Sequence, residues 1–224
     1  DKDTLTIHSD TGAYLLVASS YATPLTIHRT RNISFSNIHF GHAYVSHGCS
    51  SDVVRIDNSS ELRFNGCIFH GSGQIGLRMS GVMYIDFFNC GICGCSVYAF
   101  DIERAEGVTF SDCLIAENSG ITRSDPMTYN LINCLMAYNE IRFVNERSFF
   151  SLENSDSMFP GTIITRNSFN NTTHLAFQNK NKEHSSAIYD MYFVNQELTQ
   201  GLGPRSNTAA ERYLLFKQLG VFPQ

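Results

Sequence analysis

The amino-acid sequence predicts an all-β protein, a parallel β-helix solenoid with three short strands in each coil. One segment type, apolar-x-Phe-x-x-Cys-x-apolar, occurs as LRFNGCIF, IDFFNCGI and VTFSDCLI, with its Phe at positions 64, 87 and 110. Successive copies are therefore 23 residues apart. Apolar residues alternate with polar ones inside each copy, and short stretches rich in Asn, Gly and Ser separate the copies. A unit of this length cannot bury its own apolar face, but stacking on the next unit buries it.

The interior of the solenoid is predicted to contain columns of equivalent residues, one from each coil and ~4.8 Å apart along the axis. The reference column is expected to contain Phe35, Phe64, Phe87, Phe110, Leu131 and Ile164. The column three residues later contains Ile38, Cys67, Cys90, Cys113, Cys134 and Asn167. The column five residues later contains Phe40, Phe69, Ile92, Ile115, Met136 and Phe169. The spacing of two within each apolar pair is the period of a strand with one buried face.

The corners between strands agree with this assignment. Only two residues separate the second strand from the third, and they end in Asn37, Gly66, Asn89, Asp112 and Asn133. A corner this short needs a left-handed backbone conformation, which Gly, Asn and Asp adopt most readily. The turns between the third strand and the next first strand vary in length, and variable loops on one edge of a solenoid often carry binding sites.

The C-terminal end is predicted to be covered by a helix. The segment TAAERYLLFKQLG has an amphipathic pattern, a capping box formed by Thr208 and Glu211, and a stop signal at Gly220. We therefore expect a β-helix domain over residues 1–205, with about six or seven coils, and a capping helix and tail over residues 206–224.

Bulk composition excludes several classes of partner. The 224 residues are 42% hydrophobic and carry a formal net charge of −5, which favours a sizeable core and argues against a nucleic-acid partner. No apolar run reaches the ~18 residues of a membrane span. The chain begins with DKDTL, without Met or a signal peptide. It is expected to be either a mature product or part of a longer protein with flanking domains.

These repeats resemble the right-handed, single-stranded parallel β-helix superfamily with the pectin-lyase-like fold. The resemblance covers about residues 25–177, and the run GCSSDVVRIDNSSELRFNGCIFHGSGQIGL also resembles uncharacterised bacterial repeat proteins of that superfamily. It implies a right-handed coil, a first sheet built from residues 54–57, 77–80 and 100–103, and an extracytoplasmic location: periplasmic, cell-surface or secreted.

The outward face of this first sheet carries the candidate binding site. One outward column is expected to contain Thr26, Arg55, Arg78, Asp101 and Thr122, and its neighbour His28, Asp57, Ser80 and Glu103. Because the guanidinium fork of Arg matches carboxylates and sulfates, we predict binding of an acidic polysaccharide by Arg55, Asp57, Arg78, Asp101 and Glu103. The alternative is a solvated ladder in which Arg78 and Asp101 pair with each other across coils.

Catalysis on this face is a second hypothesis, with Arg78 and Asp101 as weak catalytic candidates. In pectate lyases, which this fold resembles, the first sheet holds an Arg base and carboxylates that bind Ca²⁺. We therefore expect no cofactor unless the protein is a lyase, in which case Ca²⁺ is implied. Polygalacturonases resemble this fold too, but the paired aspartates of their acid–base chemistry are missing here. A third hypothesis is a non-enzymatic scaffold or protein-interaction solenoid within a larger protein.

Histidines and cysteines could also form sites. His39, His42, His47 and His70 are weak candidates for metal ligands, because they cluster near one loop. Cys67, Cys90, Cys113 and Cys134 are predicted to fill an interior column as small apolar residues. We expect no metal site and no disulfide along that column, since parallel side chains are poorly oriented for the disulfide dihedral angle.

Overall fold

The computed structural model describes residues 4–19, 21–43, 51–71, 74–122, 124, 128–132, 134–137, 139–141, 163–169 and 188–193. These ranges contain no α-helix and form the following strands, numbered in chain order. They are β1 (Leu5–Val17), β2 (Leu25–His28), β3 (Arg31–His42), β4 (Val54–Asp57), β5 (Ser60–Asn65), β6 (Ile68–His70), β7 (Ile75–Ser80), β8 (Met83–Phe88), β9 (Gly91–Cys93), β10 (Tyr98–Glu103), β11 (Glu106–Ser111), β12 (Leu114–Ala116), β13 (Tyr129–Ile132), β14 (Leu135–Ala137), β15 (Glu140–Ile141), β16 (Ile163–Phe169) and β17 (Ile188–Phe193).

The strands stack as the coils of a parallel β-helix. The first sheet has the order β10-β7-β4-β2, and each of its pairings is parallel. The second sheet joins β5, β8, β11 and β13 to the first half of β3, and the third joins β6, β9, β12 and β14 to its second half. The predicted parallel architecture with three short strands per coil is confirmed.

A stack of phenylalanine rings fills the interior at the predicted reference column. Phe35, Phe64, Phe87 and Phe110 follow one another in register, and their ring centroids are 4.9, 4.9 and 4.7 Å apart with ring planes within 10° of each other. All four are at most 4% exposed. Each buried Phe contributes ~1.5–3 kcal/mol, so this column fixes which residues of neighbouring coils lie opposite each other.

The cysteine column is also interior, as predicted. Cys67, Cys90, Cys113 and Cys134 are at most 1% exposed and carry free thiols. Each Sγ lies within hydrogen-bonding distance of the carbonyl oxygen two residues earlier in the chain. The thiol column therefore packs against the backbone of the corner that precedes it.

The corners have the predicted left-handed conformation. The φ angle is 56° at Asn37, 62° at Gly66, 51° at Asn89 and 53° at Asp112. Asn133 lies outside the described residues.

A buried asparagine pair, which the sequence analysis did not predict, joins the coils where the third strand turns towards the next first strand. Asn118 and Asn139 are at most 1% exposed. Asn118 Nδ2 donates to Asn139 Oδ1 at 3.0 Å and to Ile92 O at 3.1 Å, and Cys95 N donates to Asn118 Oδ1 at 3.0 Å. These amides satisfy backbone groups that the turn leaves without strand partners.

The C-terminal part of the predicted alignment was wrong. Ile164 was expected opposite Leu131 and Phe169 opposite Met136, but β16 pairs Ile164 with Met136 and Phe169 with Ile141. The chain between β15 and β16 is longer than the regular repeat, so counting at a fixed spacing assigned the wrong strand. The predicted capping helix at residues 208–220 lies outside the described residues, so the helix and the number of coils stay predictions.

β1 forms the first described rung. It pairs with β3 alone among the described strands, with Leu5 opposite Ile33, Ile7 opposite Phe35 and Leu15 opposite Phe40. These three side chains of β1 continue the interior columns, yet they remain 56%, 42% and 42% exposed.

Candidate functional site

The first sheet places the predicted site residues in two adjacent columns. Thr26, Arg55, Arg78 and Asp101 follow one another in register, as do His28, Asp57, Ser80 and Glu103. Thr122 was expected to extend the first column and does not: it forms a bridge with Phe100, one position away from Asp101. Since Phe100 belongs to an interior column, Thr122 is buried, at 2% exposure.

Arg55 forms an ion pair within its own strand. Its Nε donates to Asp57 Oδ2 at 2.7 Å, because residues two apart on a strand share a face. This hydrogen bond, together with the charge of Asp57, raises the pKa of Arg55 above its ordinary value. The side chain is 50% exposed, so the guanidinium keeps a surface that a ligand can reach, and it stays protonated.

Arg78 pairs with a residue that the sequence analysis did not include. Its Nε lies 2.9 Å from Asp52 Oδ2, and the two side chains are 31% and 10% exposed. The expected pairing of Arg78 with Asp101 across coils was therefore wrong in its partner. Asp52 precedes β4 in the variable loop, where the repeat pattern gives no alignment.

The pKa of Asp52 is raised above its ordinary value. Burial is the largest cause, because a carboxylate is disfavoured away from water, and the negative charge of Asp101 adds to it. The charges of Arg78 and then Arg55 act in the opposite direction.

Asp101 and Glu103 differ in accessibility. Asp101 is only 2% exposed, so its carboxylate is not the open surface group that the column position suggested. Glu103 is exposed and lies next to Arg104, whose Nη2 donates to Ser80 Oγ at 2.8 Å. Arg104 was not predicted as a site residue because it follows the strand at a corner, with φ of 51°.

These residues line one open depression of about 380 Å³ on the first-sheet face. It includes all five predicted binding residues, Arg55, Asp57, Arg78, Asp101 and Glu103, and also His28, Asn58, Met79, Ser80 and Arg104. Three arginines and three carboxylates alternate around it. Such a surface can accept hydrogen bonds from hydroxyl groups and donate them to an anionic group.

The histidine candidates do not form a described metal centre. His42 Nε2 lies 2.9 Å from Ala22 O, and His39 packs edge-on against Tyr14 at 4.5 Å between ring centroids. Burial, then the charge of His42, lowers the pKa of His70; burial, then the charge of His70, lowers that of His39. His47 lies outside the described residues.

Metal binding finds no support in the part of the chain that the structure describes. No group of three or more His, Cys, Asp or Glu side chains there is arranged to hold a metal ion. The Ca²⁺ that a lyase would need therefore has no fitting ligand set among these residues. In the same ranges, no helix is long and apolar enough to span a lipid bilayer.

Comparison with known proteins gives little further information. The sequence matches no protein-family model and no curated protein. A similar solved structure is the crystal structure of the pectin methylesterase from Aspergillus niger in deglycosylated form, with 16% identity and a TM-score of 0.34. That similarity covers 94% of this chain and 83% of the other. At this level it supports no conclusion about the function of this chain.

Proposed function

We propose that the first-sheet depression binds an acidic polysaccharide, with Arg55 and Arg78 contacting its carboxylate or sulfate groups. The observation that supports this most is the register of β4 and β7, which places Arg55 directly opposite Arg78. Stacked strands are ~4.8 Å apart, so two cationic side chains face one side of a polymer. An extracytoplasmic location is part of this proposal.

The carboxylates of the depression have a supporting role. Asp57 holds the Nε of Arg55, and Asp52 lies against the Nε of Arg78, so each guanidinium is oriented before a ligand arrives. Pre-orientation lowers the entropy lost when a flexible side chain is fixed on binding. Exposed Glu103 can accept hydrogen bonds from sugar hydroxyls.

Binding is tested with polygalacturonate and heparin, by affinity electrophoresis and by calorimetry with an oligogalacturonate. Arg55→Gln removes the half-exposed cation without leaving a buried charge, and should weaken binding about tenfold, as expected for a lost charge-assisted contact of ~1.4 kcal/mol. Arg78→Gln is combined with Asp52→Asn, because the single change would leave Asp52 buried without its cation. Binding should also weaken as salt is added.

The matched control is Arg31→Gln, since Arg31 is an exposed arginine on the second sheet. Its affinity should equal that of the wild type. Equal binding by Arg55→Gln, or no binding of either polymer by the wild type, would contradict the proposal.

A polysaccharide lyase or hydrolase on the same face is a second candidate. A buried carboxyl group with a raised pKa, Asp52, lies against Arg78 beside the depression, and perturbed carboxyls in clefts are frequent general acids. The test is release of unsaturated or reducing-end products from a panel of polyuronides, with Asp52→Asn and Asp101→Asn as variants. No product from any polymer would remove the enzyme hypothesis and leave binding alone.

A further inference from the structure

The outward face of the second sheet carries a separate depression of about 480 Å³, larger than the one on the first sheet. Its lining includes Glu61, Arg63, Tyr84 and Asp86 from β5 and β8, together with Asn32 and Ser34 from β3. None of these residues lines the first-sheet depression. The two sites are therefore distinct surfaces.

Tyr84 has an unusual backbone conformation. Its φ is 56°, in the left-handed region that a bulky L-residue rarely adopts. The other coils have Asn32, Glu61 and Gly107 at this corner, all with positive φ. The corner geometry requires the left-handed conformation, and the sequence nevertheless has an aromatic residue there, which points from an observed outlier to a function.

The ring of Tyr84 is held in place by the next coil. A Cβ atom on Gly107 would lie 2.8 Å from Tyr84 Cδ1, so the ring occupies space that only a glycine leaves open. The Tyr84 hydroxyl lies 3.4 Å from Glu106 Oε1. The ring is nevertheless 52% exposed, so one part is fixed against the protein while another faces solvent.

Charged groups surround this ring. Arg63 Nε lies 3.9 Å from Asp86 Oδ2, and the two side chains are 77% and 55% exposed. With Glu61, the lining contains two carboxylates and one guanidinium, a net negative balance. An anionic ligand would be repelled, whereas an uncharged molecule with many hydroxyl groups would find both acceptors and a donor.

We propose that this second-sheet depression binds a neutral oligosaccharide. The apolar face of a pyranose ring packs on the exposed face of Tyr84. Its hydroxyls donate to the carboxylates of Asp86 and Glu61 and accept from Arg63. The protein thus has two glycan surfaces of opposite preference, an acidic one on the first sheet and a neutral one on the second.

The test is calorimetric titration of the full chain with three neutral hexasaccharides, cellohexaose, xylohexaose and mannohexaose. Tyr84→Asn removes the ring and keeps a residue that readily adopts positive φ, so the fold is retained. It should weaken binding about tenfold or more, as expected when an aromatic stacking partner is removed. Tyr84→Phe keeps the ring and should bind like the wild type.

Tyr21→Asn is the matched control, because Tyr21 is 76% exposed and does not line the depression. Its affinity should not change. Failure of all three hexasaccharides to bind the wild type, or unchanged affinity of Tyr84→Asn, would overturn the inference. Titration of the same variants with oligogalacturonate distinguishes this outcome from failure of the first-sheet proposal, since that binding should not depend on Tyr84.

Discussion

The substitution Asn118→Ala tests whether the buried amides hold the coils together. Asn118 is 1% exposed and makes side-chain hydrogen bonds to Cys95 N, Ile92 O and Asn139 Oδ1, at 3.0, 3.1 and 3.0 Å. Alanine removes all three. The N–H of Cys95 loses this acceptor in a site where water cannot replace it.

The magnitude follows from these contacts. A buried donor left unsatisfied costs about 1–3 kcal/mol, and each of the other two lost bonds about 0.5–1.5 kcal/mol. The expected loss in unfolding free energy is therefore about 2–6 kcal/mol, a large part of the ~5–15 kcal/mol that stabilises a typical protein.

Urea unfolding measures this loss. The midpoint should fall while the slope m stays constant, since the change affects contacts and not the surface exposed on unfolding. The matched control is Asn65→Ala, because Asn65 is exposed on β5, and its effect should stay within ~0.5 kcal/mol. A loss below ~1 kcal/mol for Asn118→Ala would show that the amide pair does not stabilise the stack as argued.

Three further predictions concern the interior and the first-sheet site. Gly76→Ala places a Cβ atom 2.5 Å from Ala99 O, so it should cost about 1–3 kcal/mol; an unchanged melting temperature would contradict the close approach. The pKa of Asp52 is higher in the folded protein than the ordinary value of 3.8, so its stabilising contribution is present below that pH and is lost as pH rises through the folded pKa. Stability relative to Asp52→Asn should therefore decline with rising pH across that window, and a parallel pair of pH profiles would refute the assignment. Burial raises the pKa of Cys93 to about 12, so iodoacetamide should label Cys93 only after unfolding, and mass-spectrometric detection of rapid labelling in the folded state would be inconsistent with its burial.

The repeating part of the fold was predictable because each coil contributes the same residue type at the same place. Phe64, Phe87 and Phe110 are 23 residues apart in sequence and stack in register. The alignment failed at Ile164, where a long connection separates β15 from β16 and spacing no longer identifies the strand. Periodicity identifies neighbouring coils only while the connections between them keep one length.

The site was partly predictable for the same reason. Arg55, Arg78 and Asp101 were placed opposite one another from the repeat, and the strand pairing has them so. Asp52 was missed because it lies in a loop, outside the repeat, and reaches Arg78 only in three dimensions. The burial of Asp101 was missed because strand alternation gives the face of a residue but not what covers that face. The left-handed φ of Tyr84 had no signal in its residue type.

The in-register phenylalanine stack gives the molecule a translational symmetry, and this has a consequence for how such a chain can change in length. Duplicating one 23-residue unit would insert a complete rung whose Phe and Cys meet identical neighbours above and below. The cross-section would be unaltered, while both outward faces would lengthen by ~4.8 Å. A solenoid of this kind can thus match its reach to a longer polymer by gene duplication, without a new core having to evolve.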